Sequence, residues 1–217
     1  MECKKCENTK CKYVGKKTAK KQRKEIWDIL KQLNKKLKEN NRKGFMSRLV
    51  GSSRRNMVFR HGNSMYDTDI QLEFLSPTAK KLEPEFKDEL NEMIKEIIPE
   101  TWTTKISTSV ITINKCDDEG KLVHFFDLAI LRKKDDTRQI LRGKSSDKTK
   151  EDYFKWEALS KYNKAYDKFK EASKDQIQEI KQRYLERKCE NRGVKKDDLN
   201  HRSSSQFFVE VVNEVMD

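Results

Sequence analysis

Long apolar runs are missing from this chain. Only 34% of its 217 residues are hydrophobic against 39% charged, and no stretch approaches the length that spans a bilayer. This excludes a helical membrane protein and predicts a small core beneath long, heavily charged surface helices. The start, Met1-Glu2-Cys3-Lys4-Lys5, has no apolar segment, so no signal peptide is expected and a cytoplasmic location is. An even set of cysteines is also missing. There are five, which in such a location argues against a disulfide framework. Internal repeats are absent too, and the length suits one domain, or one core with a helical appendage.

Acidic residues are scarce in one region only. Residues 1–60 hold 20 Lys/Arg against 5 Asp/Glu, a net +15, while the rest of the chain is close to neutral at −2. A basic arm of this kind attracts polyanions, so RNA contact through the N-terminus is one expectation and a solvated tail the other. Residues 1–20 form that arm, and they carry Cys3-x2-Cys6-x4-Cys11. Three thiolates at this spacing suit zinc only if a fourth ligand, Cys116 or Cys189, closes the site, because no histidine is near. Three exposed thiols on a tail is the plainer reading.

Periodicity divides the remainder. Ile26, Leu30, Leu33 and Leu37 recur at helical steps and predict a helix over 21–39. A short apolar run at 45–50 ends on Gly51-Ser52. Residues 67–75 alternate as a half-buried strand, with Ile70, Leu72 and Phe74 on one face and Asp67, Asp69, Gln71 and Glu73 on the other. A helix follows over 83–98, with Pro84 in its first turn. Residues 104–114 and 121–132 read as strands of a hairpin across a turn at Asp117–Gly120. Residues 133–149 read as a charged loop and 150–190 as two helices. Residues 191–202 connect to a final helix capped by Ser203-Ser204-Ser205. The fold class is therefore α+β: a small mixed β-sheet with flanking helices and a C-terminal helical region.

Three carboxylates stand on the strand-like segments. Asp67 and Asp69, at i and i+2, project to one side. Asp127 lies inside the apolar run Val-His-Phe-Phe-Asp-Leu-Ala-Ile-Leu. Adjacent anions are costly to bury bare, and a divalent cation such as Mg²⁺ resolves that cost. If strand 121–132 lies beside strand 67–75, the three acids meet in the arrangement used for in-line displacement at phosphorus. Upstream, Gly51-Ser52 offers close backbone approach and a hydroxyl to phosphate oxygens.

The order Val50-Gly51-Ser52, Asp67-Thr68-Asp69-Ile70 and Phe126-Asp127-Leu128 resembles the DNA polymerase β-like nucleotidyltransferase superfamily. The run Arg202–Val212 is similar to the triphosphate-supporting helix in the branch of cyclic-oligonucleotide synthases, oligoadenylate synthases and archaeal CCA-adding enzymes. The resemblance implies a nucleotidyltransferase core over 21–145 and a helical region over 146–217 that walls the nucleotide cleft. It implies Mg²⁺ or Mn²⁺ on Asp67, Asp69 and Asp127, and a nucleoside triphosphate such as ATP on Gly51 and Ser52. It also implies a lysine and a serine from the helical region on the triphosphate: Lys155, Lys161 or Lys164, and Ser204 or Ser205, with Lys161 and Ser204 taken forward. The expected reaction moves a nucleotidyl group to a hydroxyl with release of pyrophosphate, in template-independent synthesis of linear or cyclic oligonucleotides. An RNA or tRNA 3′ end is the alternative acceptor. A non-catalytic nucleic-acid-binding or antitoxin-like module is a further alternative. His61 and His124 flank the motifs as bystanders. The aromatic residues Tyr153, Phe154, Trp156, Tyr162, Tyr166 and Phe169 read as core rather than a base platform. Arg54, Arg55 and Arg60 either clamp phosphates or are solvated.

Overall fold

A computed structural model describes residues 11–62, 65–74, 86–143, 154–159, 164–191 and 202–217. Two compact units result. One is built from Lys16–Arg54 and Met65–Leu159, the other from the described parts of Met1–Gly15, Arg55–Ser64 and Ser160–Asp217.

The first unit is a seven-stranded mixed sheet with helices. Its elements are α1 (Lys16–Glu39), β2 (Phe45–Leu49), α2 (Gly51–Arg55), β4 (Asp67–Phe74), α3 (Phe86–Lys95), β5 (Thr103–Ile106), β6 (Ile111–Cys116), β7 (Leu122–Lys134), β8 (Thr137–Gly143) and β9 (Phe154–Ala158). The strands run β2-β4-β7-β6-β5, and β8 pairs with both β7 and β9. Only β4 and β7 pair in parallel. One sheet face is apolar. Ile70, Leu72 and Phe74 of β4 and Phe126, Leu128 and Ile130 of β7 are fully buried there, beneath Ile26, Leu30, Leu33 and Leu37 of α1 and Phe86, Leu90 and Ile94 of α3. The two expected helices thus cover the sheet as their stripes require.

Several boundaries differ from expectation, each for a local reason. Helix α1 starts at Lys16 because Lys and Ala continue a helix without needing an apolar stripe. The strand expected over 104–114 is two strands, joined where Ser107 N–H donates to Val110 O at 2.9 Å. The expected loop at 133–149 is largely sheet. Strand β7 runs to Lys134, turns at Asp135-Asp136, both at positive φ (46° and 61°), and returns as β8. Two successive positive φ values make the tight turn that matches strand twist. The helix expected from 150 begins later, because Phe-Lys-Trp-Glu-Ala at 154–158 alternates and pairs with β8. Among the described residues no helix is long and apolar enough to cross a membrane.

The second unit holds β1 (Cys11–Tyr13), β3 (Phe59–His61), α4 (Ala165–Glu171), α5 (Lys174–Glu190) and α6 (Ser204–Met216). Met57, Ile180, Tyr184, Phe208, Val211 and Val212 form its core. Ser203 caps α6 in a reciprocal box with Gln206, as its serines predict, and Ser173 caps α5 with Gln176 in the same way. Cys11 and Cys189 are joined in a disulfide. This corrects two expectations. The chain does contain a disulfide, and Cys11 has no thiolate for zinc. Cys189 is consumed in the same bond, and Cys3 and Cys6 lie outside the described residues, so the Cys3/Cys6/Cys11 zinc site is not supported.

Candidate active site

Asp67 and Asp69 begin β4, with Thr68 buried between them. The parallel register sets Asp69 directly beside Asp127 of β7, and Asp67 beside Phe125. Backbone pairing alone therefore brings the three acids to one face. A ligand oxygen from each lies within 4.8 Å of the others. The set consists of carboxylates only, partly shielded from water, which is the donor chemistry of hard cations such as Mg²⁺.

Asp127 is the most electrostatically loaded of the three. Burial pushes its carboxyl above the ordinary carboxylate range. The Thr112 hydroxyl, donating to its Oδ1 at 2.6 Å, pulls it back, and Asp67 raises it further. A cation among these oxygens offsets both unfavourable contributions. Thr112 sits opposite Asp127 in the β6–β7 register, which no motif announced.

Gly51 fits against this cluster. Its φ is +56°, and a Cβ there would lie 2.6 Å from Asp69 Oδ2. Glycine is needed both for the backbone conformation and for the space. The turn is tied to the acids, since Val50 N–H donates to Asp69 O at 3.1 Å. Ser52 is half-buried beside it, while Ser53 is fully buried and its carbonyl accepts from Arg23 Nη2 at 2.7 Å.

His124, expected to be a bystander, is wholly buried behind the acids. Its Nε2 and Thr68 Oγ1 are 3.0 Å apart, and its ring packs edge-on against Tyr66 and Phe126. Burial first, then Lys115, drives its pKa down to about 3, so the imidazole is neutral. It anchors the middle residue of Asp-Thr-Asp from the core side. The signal for it is a histidine on the apolar face of a strand.

The remaining candidates lie in the second unit or outside the described residues. Ser204 opens α6, and its Oγ accepts from Lys188 Nζ at 2.6 Å. Lys188, near the end of α5, was not anticipated. Lys161 lies outside the described residues, Lys155 pairs with Glu157 in β9 (3.3 Å), and Lys164 precedes α4. Arg55 stacks on the Phe208 ring at 3.8 Å, so its guanidinium serves packing in that unit. Trp156 packs on the core of the first unit, and Tyr166 and Phe169 on that of the second, as expected of core aromatics.

No family model matches the sequence, and no curated protein does. Solved structures match in fold. The CdnE cyclic dinucleotide synthase of Elizabethkingia meningoseptica, solved with GTP and Apcpp, is 18% identical over 88% of this chain, with a TM-score of 0.58. CdnC of E. coli MS115-1, solved with ATP, gives 15% and 0.60 over 94% of this chain. A STING-associated CdnE c-di-GMP synthase from Capnocytophaga granulosa gives 15% and 0.60 over 93%. The matches cover 68%, 63% and 61% of those chains respectively, so this chain spans about two thirds of their length or slightly less. The sheet that carries Asp67, Asp69 and Asp127 thus belongs to a chain with the polymerase β-like nucleotidyltransferase fold of the cyclic dinucleotide synthases.

Proposed function

We propose that this chain is a nucleotidyltransferase that moves a nucleotidyl group from a nucleoside triphosphate to a hydroxyl, releasing pyrophosphate and building linear or cyclic oligonucleotides without a template. The observation that carries this reading is the convergence of Asp67, Asp69 and Asp127 within 4.8 Å at a paired strand register. Asp67 and Asp69 would hold divalent cations, and Asp127 would share one of them. Bound there, Mg²⁺ or Mn²⁺ would neutralise phosphate charge and make the attacking hydroxyl more acidic. Asp127, fixed by Thr112, orients that hydroxyl. The Gly51 backbone and the Ser52 hydroxyl hold phosphate oxygens. Ser204 and Lys188, already hydrogen-bonded to each other, are the triphosphate ligands of the helical unit, with Lys188 taking the place first given to Lys161.

The test is incubation with each labelled nucleoside triphosphate and Mg²⁺ or Mn²⁺, with and without RNA, beside Asp67→Ala/Asp69→Ala. Product without RNA that disappears in the variant supports oligonucleotide synthesis. Product that requires RNA assigns the enzyme to RNA 3′ ends, which the basic N-terminal region favours. Metal-dependent triphosphate binding that survives in the variant would overturn the assignment of the acids.

A further inference from the structure

Beyond Asp67 and Asp69, the next residues of β4 on the acid-bearing face are Gln71 and Glu73, each roughly 7 Å further along. Glu73 is almost fully buried, at 6% exposure. A carboxylate there needs a partner. Arg138 of β8 is sufficient by itself, since its Nε and Nη2 donate to the two Glu73 oxygens at 3.2 Å each. A second guanidinium nevertheless stands beside it. Arg48 of β2 donates through Nε and Nη2 to Gln71 Oε1 at 2.9 and 2.6 Å, and its Nη2 lies 3.7 Å from Glu73 Oε2. A third, Arg54 of α2, is close enough to be felt. Burial, then Arg138 and Arg54, lower the Arg48 pKa below its ordinary value, with Glu73 offsetting part of the effect.

Three arginines around one carboxylate are more positive charge than the fold requires. The surplus lies on the face that also carries the acids. Arg48 and Arg138 are partly exposed, with 32% and 45% of their side-chain surface open. Their contacts with Gln71 and Glu73 leave out the Nη1 group of each, and a guanidinium fork matches phosphate geometry.

We propose that Arg48 and Arg138 bind the 5′ phosphate of the acceptor nucleotide. The acceptor is then a phosphorylated nucleotide, not a free nucleoside, a small alcohol or a protein hydroxyl. This rests on Asp67, Asp69 and Asp127 being the reaction centre. With the attacking hydroxyl at the acids, the phosphate of the same nucleotide falls about one sugar away, which is one to two steps along β4. A free nucleotide and an RNA end both carry such a phosphate, terminal in one and internal in the other.

The experiment compares adenosine, adenosine 5′-monophosphate and a diadenosine dinucleotide with an internal phosphate as acceptors, at fixed donor triphosphate and Mg²⁺. Wild type should favour a phosphate-bearing acceptor over adenosine by about tenfold in kcat/KM, the worth of one charge-assisted contact. The monophosphate and dinucleotide arms separate terminal from internal phosphate. In Arg48→Gln, and in Glu73→Gln/Arg138→Gln, which leaves no unpaired buried carboxylate, the preference should shrink towards unity. Melting curves confirm that both variants are folded. No preference in wild type, or an equal preference in all three proteins, overturns the proposal. Should wild type give no product, calorimetric binding of adenosine monophosphate, with a non-hydrolysable triphosphate and Mg²⁺ present, decides instead. Equal affinity in wild type and variants overturns the acceptor site. Failure of the triphosphate itself to bind with metal overturns the underlying assignment of the acids.

Discussion

Gly51→Ala puts one methyl group against the acids. The new Cβ would lie 2.6 Å from Asp69 Oδ2, so the carboxylate must retreat towards the 3.4 Å at which ordinary contact begins. The backbone at φ +56° adds a strain of about 1–2 kcal/mol for any residue with a Cβ. In a chain of this length that lowers Tm by roughly 2–8 °C. A shift approaching 1 Å in a group that positions the reaction costs on the order of 100-fold in rate. Gly120 supplies the control. It turns β6 into β7 at φ +76° with nothing within 4 Å of its would-be Cβ. Gly120→Ala should therefore lose similar stability and keep its rate. Pyrophosphate release and thermal melting of the two variants side by side separate strain from misplacement. If both turn over equally fast, the fit of Gly51 to Asp69 does not matter to the chemistry, and its role here is wrong.

Three further outcomes follow from the same geometry. His124 has its folded pKa depressed to about 3 against an ordinary 6.5, so its stability contribution is present above pH 6.5 and is lost as pH falls towards 3. Between pH 6.5 and 5 this amounts to about 2 kcal/mol, and His124→Gln should flatten that part of the urea-unfolding profile; an unchanged profile would show that another group titrates. Asp127 has its folded pKa raised, so its contribution is present at low pH and is lost as pH rises through that pKa. Asp127→Asn should therefore raise the melting temperature of metal-free protein at pH 7, by roughly 2–4 °C per kcal/mol, while abolishing activity, and a lower melting temperature would contradict the stated cost of its burial. Lys188→Ala should raise KM for the triphosphate about tenfold with a smaller effect on kcat; an unchanged KM in steady-state kinetics would remove Lys188 from the triphosphate ligands.

The acids were legible in the sequence because a strand encodes its faces with a period of two. Asp67 and Asp69 could be placed on one side of β4, and Asp127 was conspicuous among apolar neighbours. The two covering helices were legible for the same kind of reason, with Ile26, Leu30, Leu33 and Leu37 spaced for one stripe. What stayed hidden depends on which strands become neighbours. Thr112 reaches Asp127 only through the β6–β7 register. Arg48 and Arg138 are 90 residues apart in sequence and meet only because β2 and β8 flank β4 and β7. Strand β8 was read as loop because Thr-Arg-Gln and Arg-Gly surround its two apolar residues, and a Lys-Asp-Asp turn lacks the Asn-Gly signature. The disulfide was hidden more deeply, since Cys11 and Cys189 are 178 residues apart and the odd cysteine count spoke against any pair.

That separation bears on the order in which the protein is made. The sheet with the three acids has its last strand once Ala158 is synthesised. The second unit is different, because β1 must wait for α5. Tyr13 Oη donates to the carbonyl of Lys181, and Cys11 bonds to Cys189. At about 5–20 residues per second, Cys11 spends roughly 9–36 s as an uncovered thiol on the ribosome. Cys116 emerges during that interval and is half-buried in β6 in the folded sheet. Prompt folding of the first unit thus withdraws the competing thiol before the correct partner exists, so a variant that slows the sheet should yield mispaired protein even where its final stability is untouched.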